Sequence, residues 1–186
     1  MTERLVLVVG PSGAGKDSLL KHAKQRFADD NRFVFPRRVI TRPAQADAED
    51  HDTLSVADFG VAQQSGQFAL HWGAHGLFYG IPDAIRGDLA SGRCVVVNAS
   101  RGIIAEAQRV FPGLAVIEVT AATDILLARL QQRGRAEDGD LATRAARRAP
   151  AYPAGVTPIV IDNGGKLADA QSAFVDALQT LIRQLP

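Results

Sequence analysis

Cysteine is all but missing from this 186-residue chain, where Cys94 stands alone. One thiol excludes a disulfide framework and any cysteine-rich metal cluster. Its place in the apolar run "CVVVNAS" gives it core packing as its expected role. Net charge is missing as well: the formal sum is +1, so no overall field pulls the chain towards nucleic acid or an anionic membrane. Long apolar runs are absent too. The opening "MTERLVLVVG" carries two charges and then five consecutive apolar residues, too few for the core of a signal peptide or for a bilayer span. A cytoplasmic protein with no nucleic-acid or membrane partner is the expectation. Neither internal repeats nor low-complexity tracts are present, and the most polar stretch is the acidic "PAQADAEDHDT", Pro43 to Thr53, which reads as flexible.

What the chain does have is ordinary globular composition, 46% hydrophobic and 22% charged. Its length suits one domain with a substantial core, spanning 1–186. Leu5 to Val9 is an apolar run of strand length, the signature of a strand buried on both faces of a parallel sheet. "CVVVN" (Cys94 to Asn98), "LAVIEV" (Leu114 to Val119) and "PIVI" (Pro158 to Ile161) follow, each leading into a helical stretch. In the last helix Leu167, Phe174, Leu178, Leu181, Ile182 and Leu185 recur near a 3.6-residue period and predict one stripe packed on the sheet. Strand alternating with helix is the α/β pattern. The expected core is 1–35, 90–125 and 150–186. Between its first two parts lies a long turn-rich and aromatic insertion, about 36–89, expected to bind an acceptor. Leu126 to Arg148 carries six arginines around the break "RGRAEDGD", which predicts a lid over about 129–148.

The stretch "VLVVGPSGAGKDSLL" reads as strand, glycine-rich turn and helix. Gly10, Gly13 and Gly15 let the backbone wrap an anion, and the N–H groups from Gly10, Pro11, Ser12, Gly13, Ala14, Gly15, Lys16, Asp17 and Ser18 onward make a phosphate-binding loop. Proline itself contributes no donor, so Pro11 shapes the turn. Lys16 adds a mobile positive charge for the β- and γ-phosphates of ATP or GTP. The pattern G-x-x-x-x-G-K-[ST] asks for a hydroxyl after the lysine, and Asp17 stands there instead. One carboxylate beside one phosphate charge at 4 Å is repelled by about 4 kcal/mol at an effective dielectric of 20. A cation between them removes that cost. Asp17 therefore reads as a Mg2+ ligand, direct or through water. The alternative is a carboxylate that simply favours the first turn of a helix. Ser18 lies about 100° further round the helix and cannot take over the same direction.

"GPSGAGKDSLL", "ITRPA", "EDHDTLS", "FYGIP", "VVVNASR" and "RLQQRGR" together resemble the ribose 1,5-bisphosphate phosphokinase family of bacterial phosphonate catabolism, relatives of guanylate kinase. The resemblance covers Leu5 to Ile182. It implies a P-loop fold of the nucleoside-monophosphate-kinase type, with a parallel sheet flanked by helices, an acceptor-binding insertion and a lid. It also implies ATP with Mg2+, and ribose 1,5-bisphosphate as the acceptor converted to 5-phosphoribosyl 1-diphosphate. Compared with guanylate kinase, Arg42 matches the first phosphate-gripping arginine, whereas Gln45 occupies the place of the second. The guanine-reading glutamate becomes Leu70, and the hydroxyl after "YG" becomes Ile81. Without those partners guanine has little to be read by. Asn98, Ser100 and Arg101 stand where guanylate kinase has two carboxylates, which suits an acceptor carrying two phosphates.

On this reading Lys16, Asp17 and the lid arginines Arg133, Arg135 and Arg144 neutralise the moving phosphoryl group. The competing role for those arginines is a solvated helix face paired with Glu137, Asp138 and Asp140. Arg129 and Arg147 or Arg148 read as surface charges. Arg42, His51, His75, Tyr79, Asn98, Ser100 and Arg101 are the candidate acceptor-binding residues. Trp72 and Phe78 read as packing around Tyr79, and His22 and His71 receive no role. A nucleoside monophosphate kinase is the second reading and a catalytically silent protein-binding module the third. A homodimer is left open.

Overall fold

The computed structural model describes residues 4–42, 51–74, 76–133 and 151–183. Within them nine strands form two sheets. The strands are β1 (Arg4–Val9), β2 (Phe33–Val34), β3 (Arg38–Ile40), β4 (His51–Thr53), β5 (Phe68–Ala74), β6 (Leu77–Pro82), β7 (Cys94–Asn98), β8 (Ala115–Thr120) and β9 (Ile159–Asp162). The helices are α1 (Lys16–Arg26), α2 (Val56–Gln64), α3 (Ile85–Ala90), α4 (Ile104–Val110), α5 (Thr123–Arg133) and α6 (Leu167–Arg183).

The larger sheet has the order β2-β7-β1-β8-β9, and every pair in it is parallel. Alternation along the central strands decides where each side chain goes. Val6 and Val8 of β1, with Cys94 and Val96 of β7, pack with Leu19 and Ala23 of α1 and with Phe174 and Leu178 of α6. Leu5, Leu7 and Val9, with Val95 and Val97, pack on the other face with Ile85 and Leu89 of α3 and Ile104 and Ala107 of α4. Both faces are therefore covered, as the unbroken apolar runs predict. Cys94 is wholly buried, and burial pushes its thiol up to about 12, partly offset by the charge of Arg4. In α6 the stripe runs through Ala170, Phe174, Val175, Ala177, Leu178, Leu181 and Ile182. Leu167 departs from expectation: it sits in the exposed first turn, ahead of the part of the helix that meets the sheet. Leu185 lies outside the described residues.

The insertion forms the second sheet, of order β4-β3-β6-β5. Here the sequence reading needs correction, because His51–Thr53 is not part of a flexible stretch but pairs in parallel with β3. A three-residue edge strand is held by backbone hydrogen bonds and shows no apolar run in sequence. Ser55 caps α2: its Oγ accepts from the backbone N–H of Asp58 at 3.1 Å and donates to Asp58 Oδ2 at 2.7 Å. That helix covers one face of the second sheet by stacking Phe59 against Phe68 and Phe78. Gly80 is required there, since a Cβ on it would enter the Phe68 ring. On the opposite face, Leu70 and Ile81 join the apolar cluster that includes Ile103 of the short 3-10 turn Arg101–Ile103 after β7.

Candidate active site

The loop between β1 and α1 turns through three glycines with positive φ, Gly10 at 143°, Gly13 at 84° and Gly15 at 87°. Side chains do not fit at two of them for steric reasons as well. A Cβ on Gly10 would strike the carbonyl of Val119 in β8, and one on Gly15 would strike Asn163 Nδ2. Lys16 folds back across the loop and donates from Nζ to the carbonyls of Gly10 at 2.9 Å and Pro11 at 3.0 Å. Its ammonium is thus held over the concave side of the turn, at the N-terminus of α1 and beyond the carboxyl end of β1, where open α/β sheets bind their ligands.

Asp17 follows in the first turn of α1 and is half-buried. Its Oδ1 accepts a 2.7 Å hydrogen bond from Asn98 Nδ2 at the end of β7. Asn98 is itself buried. Neighbouring parallel strands β1 and β7 bring the two together across 81 residues of chain. Ser18 points out to solvent, in keeping with its direction on the helix.

Two further residues brace the loop from behind. Asn163, buried at the end of β9, donates from Nδ2 to the carbonyl of Ala14 at 2.7 Å. Arg129 in α5 is not a surface charge, as the sequence suggested. It is half-buried, donating from Nη2 to the Asn163 carbonyl at 2.9 Å and from Nη1 to the Gly13 carbonyl at 3.4 Å. The signal for Arg129 was its position on the α5 face one turn before Arg133. "DNGG" disguised Asn163 as an ordinary turn residue.

The remaining candidates divide by location. Ser100 serves locally, its Oγ accepting from Gly102 N–H at 3.3 Å at the start of the 3-10 turn. Arg101 forms an ion pair with Glu118 of β8, Nη2 to Oε1 2.6 Å, and both side chains are largely enclosed. Tyr152 lies beside this pair, and burial, then the Glu118 carboxylate, push its phenol above the ordinary range. His51 and Tyr79 belong to the second sheet, and Arg42 lies in the bend that follows β3. Arg42 and His51 are both buried. The carbonyl of Arg42 accepts from Thr53 Oγ1 at 3.1 Å, and that of His51 from Arg37 Nη2 at 2.9 Å. Leu70 and Ile81 face each other in register between β5 and β6 and are wholly enclosed. His75, Gln45, Arg135, Arg144 and the side chain of Arg133 lie outside the described residues.

The donor set fits a magnesium-bound nucleotide: a hard carboxylate in Asp17, a glycine turn whose Cβ positions must stay empty, and a lysine already over that turn. Among the described residues, no three His, Cys, Asp or Glu side chains cluster as a preformed metal cage. A Mg2+ held by one or two carboxylates and by substrate phosphates needs none.

No family model matches the chain. Curated relatives do. The chain is 47% identical over 176 residues to a ribose 1,5-bisphosphate phosphokinase PhnN of Methylobacterium radiotolerans, covering 94% of this chain and 97% of that protein. It is 55% identical over 146 residues to the protein of the same name from Acidiphilium cryptum, covering 78% and 77%. A bifunctional ribose 1,5-bisphosphokinase-thymidine phosphorylase of Cupriavidus pinatubonensis is 44% identical over 173 residues, and there the chain spans only 29% of the relative. Among solved structures, a guanylate kinase from Anaplasma phagocytophilum superposes with a TM-score of 0.67 at 17% identity, covering 96% of this chain and 86% of that one. This likeness shows the fold: a P-loop kinase core with a mostly parallel sheet between helices.

Proposed function

Because the chain belongs to the ribose 1,5-bisphosphate phosphokinase family, we propose that it transfers the γ-phosphoryl group of ATP to ribose 1,5-bisphosphate, giving 5-phosphoribosyl 1-diphosphate and ADP. The observation that carries the choice of acceptor is the register pair Leu70 and Ile81, two enclosed apolar side chains where a guanine-reading site needs polar ones. Apolar side chains at these positions offer a base edge nothing to pair with, and buried unpaired polar groups are costly.

In the reaction an oxygen of the C1 phosphate bonds to the γ-phosphorus as the bond to the β–γ bridging oxygen breaks, and ADP leaves. A phosphate monoester with a second pKa near about 6 is already mostly dianionic at neutral pH, so no side chain has to remove a proton. Catalysis then rests on alignment and charge neutralisation. Mg2+, when bound near Asp17, would supply positive charge that offsets the negative charge of the reacting phosphates. Lys16 reaches the same phosphates from the loop, and Asp17, steadied by Asn98, holds the carboxylate that makes the site magnesium-dependent. The roles proposed for Arg133, Arg135 and Arg144 are neutralisation of charge on the moving phosphoryl group, and for Arg42, His51, His75 and Tyr79 binding of the acceptor. Both substrates are charged cytoplasmic metabolites, and the proposal places the protein there.

ADP release from ATP and Mg2+ tests the reading, with ribose 1,5-bisphosphate, ribose 5-phosphate and GMP as parallel acceptors. Turnover with the bisphosphate alone is expected. Turnover with GMP and none with the bisphosphate would overturn it in favour of a nucleoside monophosphate kinase.

A further inference from the structure

Arg38 was passed over in the sequence, yet it is one of only five buried polar or charged side chains among the described residues. Alternation places it. Ile40 pairs with Tyr79 across β3 and β6, Trp72 pairs with the same Tyr79 across β5 and β6, and Leu70 pairs with Ile81 two residues on. Side chains two apart on a strand share a face. Arg38, Ile40, Leu70, Trp72, Tyr79 and Ile81 therefore line one face of the second sheet, opposite the face that α2 covers with Phe59. Leu70 and Ile81 on it share an apolar cluster with Ile103 of the 3-10 turn after β7, and Trp72 packs against that cluster, so this face is turned towards that end of the main sheet.

Two aromatic rings and a guanidinium meet on that face. Trp72 and Tyr79 stack with centroids 5.4 Å apart and an interplanar angle of 7°. The Arg38 guanidinium carbon sits 5.4 Å from the Tyr79 centroid and 5.9 Å from that of Trp72. Guanidinium is weakly hydrated and stacks well on aromatic faces, which is how it tolerates such enclosure. Its N–H donors lie in its own plane and are the fork that grips phosphate oxygens. The stack thus does two things to an acceptor site. It occupies aromatic surface on which a base would lie, and it fixes a second cation on β3, the strand that precedes Arg42.

We infer that Arg38, held against the stacked pair Trp72 and Tyr79, is an acceptor-binding and specificity-determining residue. It grips one phosphate of a sugar bisphosphate and takes over the charge that Gln45 does not supply, while its cover over the aromatic pair excludes nucleotide acceptors. The inference rests on the proposed function and adds the residue that selects a baseless, doubly phosphorylated sugar.

Trp72 is the only tryptophan in the chain and makes the test direct. Ribose 1,5-bisphosphate titrated without ATP should change its emission saturably in the wild-type protein, whereas GMP should not. In Arg38→Lys, which keeps the charge and loses the planar guanidinium, the acceptor Kd and KM should rise by about tenfold or more while the KM for ATP stays within about twofold. Arg38→Met should do the same more severely, and an unchanged ATP KM in either variant shows that the fold survives. A wild-type enzyme that uses the bisphosphate, with both variants holding its acceptor KM within about twofold, would overturn the role of Arg38 and leave the function intact. A wild-type protein that uses GMP and ignores the bisphosphate would overturn the function itself.

Discussion

Asn98 donates to the carboxylate of Asp17 across the gap between β7 and α1, at 2.7 Å. A hydrogen bond from a neutral amide orients a carboxylate without adding an opposite charge beside it. The helix-dipole alternative requires only a negative charge in the first turn and gives no role to Asn98. Asp17→Asn separates the two. The new amide oxygen can still accept from Asn98, so the fold should persist with the Tm shifted by a few degrees at most. Turnover should fall by about 100-fold, worth about 2.7 kcal/mol of barrier, and half-saturation should need more Mg2+. Asn98→Ala should show the same Mg2+ shift in weaker form. Unchanged activity across a Mg2+ titration of Asp17→Asn would return the residue to the dipole alone.

Arg129 ties α5 to both the Gly13 carbonyl and the Asn163 carbonyl, and Asn163 in turn holds Ala14. The bracket occupies the Gly13 and Ala14 carbonyls and leaves the loop N–H groups as the partners a phosphate would take. Arg129→Met keeps most of the aliphatic stem and removes the fork. Hydrogen bonds from a charged donor contribute about 1.5–3 kcal/mol, and a chain of this size loses about 2–4 °C of Tm per kcal/mol. The ATP KM should therefore rise about tenfold with a Tm loss of several degrees. Arg129→Lys should not restore it, because a single ammonium cannot span both carbonyls in the same geometry. Steady-state kinetics and thermal unfolding of the two variants check this.

The main sheet was legible because each central strand is buried on both faces and must be apolar throughout, as Leu5 to Val9 and Cys94 to Asn98 are. The loop was legible because wrapping an anion needs glycine where Gly10 and Gly15 stand. What escaped depends on contacts between residues far apart in the chain. Nothing adjacent to Asn98 announces that it meets Asp17, and nothing near Arg129 announces Gly13 and Asn163. Arg38 escaped for another reason. Its meaning comes from Trp72 and Tyr79, which reach it only once β3, β5 and β6 form one sheet. His51 to Thr53 hid among acidic neighbours because an edge strand needs only its backbone to pair.

Arg101 and Glu118 are both largely enclosed, so their ion pair is asymmetric in its response to mutation. Removing one partner leaves a buried charge uncompensated, which costs about 3–5 kcal/mol, whereas replacing both with apolar side chains is often neutral. Glu118→Gln should lower Tm by roughly 6–20 °C at about 2–4 °C per kcal/mol, and Arg101→Met combined with Glu118→Leu should recover most of that loss. Denaturant unfolding of the single and double variants gives the coupling. If Arg101 also touches the acceptor, the stable double variant will show a raised acceptor KM, and an unchanged KM assigns the pair to structure alone.

Cys94 and Tyr152 make alkaline stability a readout of the core. Burial raises the Cys94 thiol from 9.0 to about 12, and Tyr152 moves upward as well. Both groups are neutral when protonated, so the folded state keeps protons that the unfolded state releases. Stability from Cys94 is therefore fully present below pH 9.0 and is lost progressively as pH rises towards about 12. Cys94→Ala removes the titrating group at the cost of a small cavity. It should lower stability at pH 7 by about 1 kcal/mol, yet flatten the decline above pH 9, so the two stability curves converge as pH rises. Urea unfolding at a series of pH values measures both slopes. Parallel curves would mean that the thiol ionises as readily in the folded chain as in the unfolded one.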